Sequence, residues 1–240
     1  MNEGTRRHGD KSIEALLSEF SQLDNMTAFA PIMLNDLSKK ERKAALNLLV
    51  IIREKRCGKI KGRVVADGSK QRGLVPKENS ASPTIQLESL IMSLLIDAKE
   101  NRDVAISDVV GAYLLAEMNE LIHVKLTGRA VDVLCSANKK YSSFVSLEKG
   151  KKVIYLKLKR ALYGCIQSAL LWYNTFVEKL SKEGFILNRY DPCVANTQIN
   201  GKQCTICWYV DDTKISHVDH KVVTNVIKTL EDFFWEDNRE

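Results

Sequence analysis

No apolar run in these 240 residues approaches the roughly 18 that a membrane-spanning helix needs, and the opening "MNEGTRRHGD" lacks the apolar block of a secretory signal. The chain is therefore expected to be intracellular, in a cytoplasmic particle or the nucleus, and to have no membrane partner. A disulfide framework is missing too. The six cysteines (57, 135, 165, 193, 204, 207) are scattered, as suits a chain whose thiols stay reduced. Cys204 and Cys207 form a single CxxC, and no second pair supplies the about four ligands of a zinc site, so both read as strand residues. His217 and His220 likewise read as surface residues. There is no internal repeat and no low-complexity segment.

What is present suits a folded, basic protein. Hydrophobic residues make up 45% of the chain, enough for a sizeable core. The net charge of +6 is clumped: "REKRCGKIKGR" (53–63) holds six Lys/Arg against one Glu, and "EKGKKVIYLKLKR" (148–160) is a second basic stretch. Such clusters suit a polyphosphate partner through counterion release, although a solvated charged face would have the same composition.

Residues 1–26 read as a polar lead-in with little packing, and 27–240 as the folded domain. Periodicity predicts a helix over 39–53 capped by Ser38, then a basic hairpin with a strand near 59–66 and a turn at Asp67-Gly68. "SPTIQLESLIMSLLIDAKE" predicts a helix with Ser82 as cap, Pro83 at its first position, and Leu87, Leu90, Ile91, Leu94 and Leu95 facing the core. Strands are expected at 103–109 and over "LIHVKL", and 127–150 reads as a long loop or weak hairpin. A helix over 167–183 ends at Gly184, "CVANTQINGKQCTICWYV" is a hairpin turning at Asn200-Gly201, and a last helix runs from about 219 to 235. The fold class is α+β, an antiparallel sheet with helices packed on it.

Within this frame "CWYVDDTKIS" stands out. Apolar residues 206–210 run directly into Asp211 and Asp212, so two carboxylates sit at the edge of a low-dielectric region. Solvent at a turn, a basic partner or a bound cation would each relieve them, and Asp is a common turn residue. A second acidic site has the same form: "ISDVVGAYLL" places Asp108 at the end of another predicted strand, 103 residues before Asp211. Two strand-terminal acidic sites so far apart meet only through the fold. Oxygen ligands of this kind suit Mg²⁺, and a pair of such ions roughly 3.5–4 Å apart serves in-line phosphoryl transfer.

"YVDD" (209–212) and "DVVGAYL" (108–114) resemble the two acidic motifs of a reverse transcriptase palm. With "LKRALYGCIQSALLWY" (158–173), "KGRVVADGSKQRG" (61–73), "SPT" (82–84) and "GF…DPC" (184–193), the order and rough spacing are similar to the copia type of LTR retrotransposon polyprotein. The resemblance implies the fingers and most of the palm of a right-hand polymerase, the thumb lying outside the chain. It implies an RNA-directed DNA polymerase using two Mg²⁺ ions, Mn²⁺ being an alternative, with an RNA or DNA template, a primer and deoxynucleoside triphosphates as partners. Asp108 and Asp211 would be the principal metal ligands with the Val109 carbonyl, and Asp212 would complete the catalytic carboxylates by shaping local charge. Tyr113 would be the aromatic gate under the incoming sugar. Arg63 and Lys61 would hold the triphosphate, and Tyr163, Gly164 and Gln167 would line the nucleotide and template pocket.

The chain departs from that pattern after Gly164. Related elements usually read L-K-Q-A-P-R-A-W-Y where this chain has C-I-Q-S-A-L-L-W-Y, so Ile166, Ala169 and Leu170 replace two basic residues and a proline. A non-catalytic transposon remnant that keeps the fold and nucleic-acid binding is therefore the alternative reading. A two-metal nuclease ranks below both, because no His or Lys near either motif is suited to act as general base.

Overall fold

The computed structural model describes residues 8–73 and 75–236. In chain order its elements are α1 (Asp10–Asn25), β1 (Phe29–Ile32), α2 (Lys39–Ala44), β2 (Leu46–Glu54), β3 (Ile60–Ala66), α3 (Leu87–Glu100), β4 (Asp103–Asp108), β5 (His123–Thr127), α4 (Arg129–Ala137), β6 (Ser146–Glu148), β7 (Lys151–Leu158), α5 (Ser168–Lys182), β8 (Ile186–Leu187), β9 (Val194–Ile199), β10 (Lys202–Tyr209), β11 (Asp212–His217) and α6 (His220–Glu236). The α+β class stands. The chain divides into two units, the first from residues 1–77 and 116–168, the second from 78–115 and 169–240. Among the described residues no helix is long and apolar enough to cross a membrane.

The first unit is built on a six-stranded sheet in the order β1-β7-β5-β2-β3, with β6 on β7. Pairing is antiparallel except between β2 and β5. Helix α1 corrects the expectation of a loosely packed lead-in. Leu16, Phe20 and Leu23 recur at helical spacing and are buried, and the helix packs on β3 and α4. Its approach is close: a Cβ on Gly62 would lie 2.9 Å from the Ala15 carbonyl oxygen. Residues 1–7, also part of that expected lead-in, lie outside the described residues. Asp24 ties the end of α1 down, accepting hydrogen bonds from the Tyr141 hydroxyl, the Lys140 ammonium and the Asn138 amide. Burial pushes the Asp24 carboxyl upward, but these three donors outweigh it and hold it below the usual carboxylate range.

Three further expectations fail in this unit. Ser38 does cap a helix, with the reciprocal Glu41 bond of a capping box, but the helix stops at Ala44. Residues 46–54 form a strand because β3 and β5 flank it on both sides, and its alternating burial at Leu46 and Leu48 has period two. The basic hairpin turns at residues 55–58, where Lys55 N–H donates to the Lys59 carbonyl, and Asp67 instead opens a 3-10 turn. Residues 127–150 are ordered as α4, a 3-10 segment over Lys139–Phe144, and β6. Ala130, Val131 and Leu134 form the apolar face that the polar neighbours had obscured.

The second unit is a five-stranded antiparallel sheet in the order β4-β11-β10-β9-β8. The hairpin at Asn200-Gly201 forms as expected, both residues taking positive φ (53° and 72°) as a primed turn requires. Helices α5 and α6 also form close to their expected bounds. Trp208 on β10 packs edge-to-face with Phe176 of α5, ring centroids 5.2 Å apart, and Phe176 meets Trp172 at 5.3 Å. Helix α3 lies on the other face, since Ser93 meets Cys207 there. It starts at Leu87 rather than at Pro83: Gln86 N–H donates to the buried Asp191 carboxylate, so the preceding residues stay extended. Its expected core stripe is wrong as well, for Leu87, Ile91, Leu94 and Leu95 are exposed while Ser93 and Asp97 are buried. Cys204 and Cys207 are buried strand residues, as read. His217 is buried rather than on the surface: its Nδ1 accepts from Asp219 N–H and its Nε2 meets the Ile199 carbonyl, so Nε2 carries the proton. His220 is exposed.

Candidate active site

The second unit brings the two acidic motifs side by side. Strand β4 pairs with β11 in a register that sets Asp108 directly opposite Asp212, and β11 pairs with β10 so that Asp212 also faces Tyr209. Directly opposed residues share one face of a sheet. Asp108 and Asp212 are both exposed on that face. Asp211 occupies the turn between β10 and β11, half-buried, and its carbonyl accepts from Val109 N–H at 2.9 Å, which ties the residue after Asp108 to the turn.

That turn is strained. Val210 has φ +58°, a region that a β-branched side chain seldom enters. The Trp172 indole N–H donates to its carbonyl at 2.7 Å, so α5 holds the turn from behind. Val210 lies within "YVDD" but was given no role there, and Trp172 was signalled only as the indole in "LLWY". Tyr113, in the 3-10 turn over Ala112–Leu115, is half-buried beside this corner. Burial, then the Asp211 charge, then Tyr209 push its hydroxyl above the usual tyrosine range.

The like charges of Asp108 and Asp212 oppose each other across the ladder, an arrangement that disfavours the pair unless a cation or solvent compensates. As donors the three carboxylates and the Val109 carbonyl are all oxygen, the set that Mg²⁺ or Mn²⁺ takes. Among the described residues, however, no group of three or more His, Cys, Asp or Glu side chains is gathered closely enough to hold a metal ion. The backbone register juxtaposes the acids, and their side chains are not drawn together as a finished ligand shell.

The other five candidate residues belong to the first unit. Lys61 and Arg63 alternate on the exposed face of β3. The Arg63 guanidinium lies over the Tyr163 ring, 5.7 Å from its centroid, and Lys61 borders an open pocket of about 570 Å³ that Lys11, Lys55 and Lys59 also line. Glu19 sits beneath them: burial raises its carboxyl above the usual range against the opposing effects of Val64 N–H, Lys61 and Arg63. Gly164, at φ +93°, presses against β3 so tightly that a Cβ would lie 1.9 Å from the Ala66 carbonyl oxygen. Gln167 is buried, and its amide is engaged by Gln71 and Glu120 at 2.8 and 2.9 Å, so it braces the loop after Gly164. Gln71, which also accepts from Ile166 N–H, was not anticipated.

Comparison with known proteins bears out the family resemblance. Residues 36–237 match the family described as reverse transcriptase (RNA-dependent DNA polymerase). The truncated transposon Ty1-A Gag-Pol polyprotein of Saccharomyces cerevisiae is 28% identical over 222 residues, which cover 92% of this chain and 17% of that protein. The transposon Ty1-DR5 and Ty1-LR2 Gag-Pol polyproteins of the same yeast are also 28% identical over 222 residues, 92% of this chain and 11% of each of theirs. The chain thus spans 11–17% of the length of these curated relatives.

Proposed function

Because the chain belongs to the reverse transcriptase (RNA-dependent DNA polymerase) family, we propose that it is the RNA-directed DNA polymerase domain of a copia-like retrotransposon polyprotein, adding deoxynucleotides to a primer 3′-hydroxyl on an RNA or DNA template. In this reading the first unit serves as fingers and the second as palm. The observation that carries it is the register of β4 and β11, which sets Asp108 opposite Asp212 with Asp211 in the adjoining turn.

Asp108 and Asp211, with the Val109 carbonyl, would hold the divalent ions, and Asp212 would add negative charge to the same face. When bound, two such ions lower the cost of developing charge on the attacking and leaving oxygens. The protein's own groups do the rest. The strained turn, held by Trp172, keeps Asp211 at the end of the sheet. Tyr113, fixed beside Asp211, would set its ring against the sugar and exclude a 2′-hydroxyl. Lys61 and Arg63 would hold the triphosphate through charge-assisted hydrogen bonds, Arg63 being steadied by Tyr163. Gly164 and Gln167 would act by shaping the loop that carries Tyr163.

Primer extension on an RNA template with Mg²⁺, run beside Asp211→Asn, tests the proposal. Metal-dependent synthesis that the substitution abolishes is expected. Primer-template binding by both forms with extension by neither would replace the proposal with the remnant reading, and cleavage without added nucleotides would favour a nuclease. Tyr113→Ala should admit ribonucleotides, and unchanged exclusion of them refutes the gate.

A further inference from the structure

Helix α3 lies on the sheet with its apolar stripe outward. Leu87, Ile91, Leu94 and Leu95 are 67, 47, 47 and 59% exposed, whereas Ser93 and Asp97, at 7 and 5%, are the residues turned inward. What they meet is Lys214 of β11, 8% exposed, whose ammonium donates to Asp97 Oδ2 and lies 3.4 Å from the Ser216 hydroxyl. Asp97 Oδ1 is buried without a hydrogen-bond partner. Burying an ion pair costs the hydration of both ions, often more than an apolar pair in the same space would. Stability alone therefore does not account for it.

Its position does. Across β4 and β11, Lys214 pairs with Ile106 and Asp212 with Asp108. Two residues along a strand return to the same face about 7 Å away. The Lys214 ammonium is drawn toward Ser216, away from Asp212, so by the strand spacing it lies roughly 10 Å from the corner. An uncancelled lysine charge at about that range lowers the affinity of a divalent-cation site by about an order of magnitude. Asp97 cancels it.

We propose that Asp97 is a positioning residue that shields the acidic corner from Lys214, so that Asp108, Asp211 and Asp212 keep their full attraction for a divalent cation. The proposal rests on the reading of those carboxylates as the metal site. Removing Asp97 frees a cation beside that site; removing both members of the pair restores neutrality there.

The test is Mn²⁺ binding by the 240-residue chain, followed by electron paramagnetic resonance, with folding checked by circular dichroism. Asp97→Asn should weaken the Mn²⁺ Kd about tenfold, and Asp97→Asn with Lys214→Met should return it to within about threefold of wild type. Wild-type affinity in a folded Asp97→Asn, or a double variant as weak as the single one, overturns the proposal. If Asp97→Asn does not fold, Lys214→Gln serves instead: it leaves the Asp97 charge uncancelled and must bind Mn²⁺ more tightly than wild type, and equal or weaker binding overturns the shield. Asp108→Asn and Asp211→Asn separate the two ideas, because Mn²⁺ binding that neither alters, or no saturable binding by wild type, refutes the metal-site reading itself and the proposal with it.

Discussion

Gly164→Ala distinguishes a glycine needed by the fold from one needed only by a ligand. At φ +93° any L side chain carries a strain of about 1–2 kcal/mol. The added Cβ would also lie 1.9 Å from the Ala66 carbonyl oxygen, a backbone atom that cannot swing aside, so the loop must retreat by more than an ångström. Overpacking of that kind costs about 1–3 kcal/mol. The retreat would further break the 2.7 Å bond from Ala66 N–H to the Tyr163 carbonyl, leaving a buried donor unpaired at about 1–3 kcal/mol. Together these approach roughly 5 kcal/mol, comparable with the whole stability of a modest domain. Gly201→Ala is the control, since Gly201 also has positive φ (72°) but nothing within 4 Å of the added methyl, and it should lose only about 1 kcal/mol. Urea unfolding followed by far-ultraviolet circular dichroism reads both. A Gly164→Ala protein as stable as Gly201→Ala, with nucleotide binding lost, would refute the packing argument and leave close approach of a ligand as the reason for glycine.

Asp24→Asn should cost about 1–3 kcal/mol at pH 7, because it removes the charged acceptor shared by Tyr141, Lys140 and Asn138. The Asp24 carboxyl is held low in the folded state, so its contribution is complete above the unfolded value of about 4 and is lost as pH falls through the folded one. The gap between wild-type and variant urea midpoints should therefore close in acid, and a gap that widens there contradicts the assignment. Trp172→Phe should lose about 2 kcal/mol and speed amide exchange at Val109, whose bond to the Asp211 carbonyl depends on the turn that the indole N–H holds; unchanged exchange would show that the turn holds its shape without that bond. Burial pushes the Cys165 and Cys193 thiols up to about 12 and Cys204 up to about 11, whereas Cys57 is exposed. A maleimide at neutral pH should label Cys57 first and these three only on unfolding, as peptide mass mapping would reveal; early labelling of Cys204 would contradict its burial in β10.

The acidic corner was legible because its signals are local. An apolar strand that ends in carboxylates marks a strand terminus wherever the strand goes, Asn-Gly specifies a primed turn through its own backbone preference, and the long amphipathic stretch of α5 has one satisfactory period. Asp108 opposite Asp212 also required β4 and β11 to be neighbours, which the sequence implied only through likeness to a family. The failures have a common form. Residues 46–54 fit a helical stripe until two flanking strands claim their backbone groups. The stripe of α3 has the same period whether it faces in or out, and its orientation follows from a lysine 117 residues away that needs Asp97. His217 is polar by type and buried by its strand.

Composition and spacing by themselves determined the α+β class, the free cysteines and the two strand-terminal acidic sites. The tertiary structure alone decided which face of α3 is buried, that Trp172 holds the turn at Val210, and that Lys214 lies paired beneath α3. The reason is physical: periodicity and turn chemistry act within a few residues, whereas burial of a charge is settled by a partner that only the folded chain brings within reach.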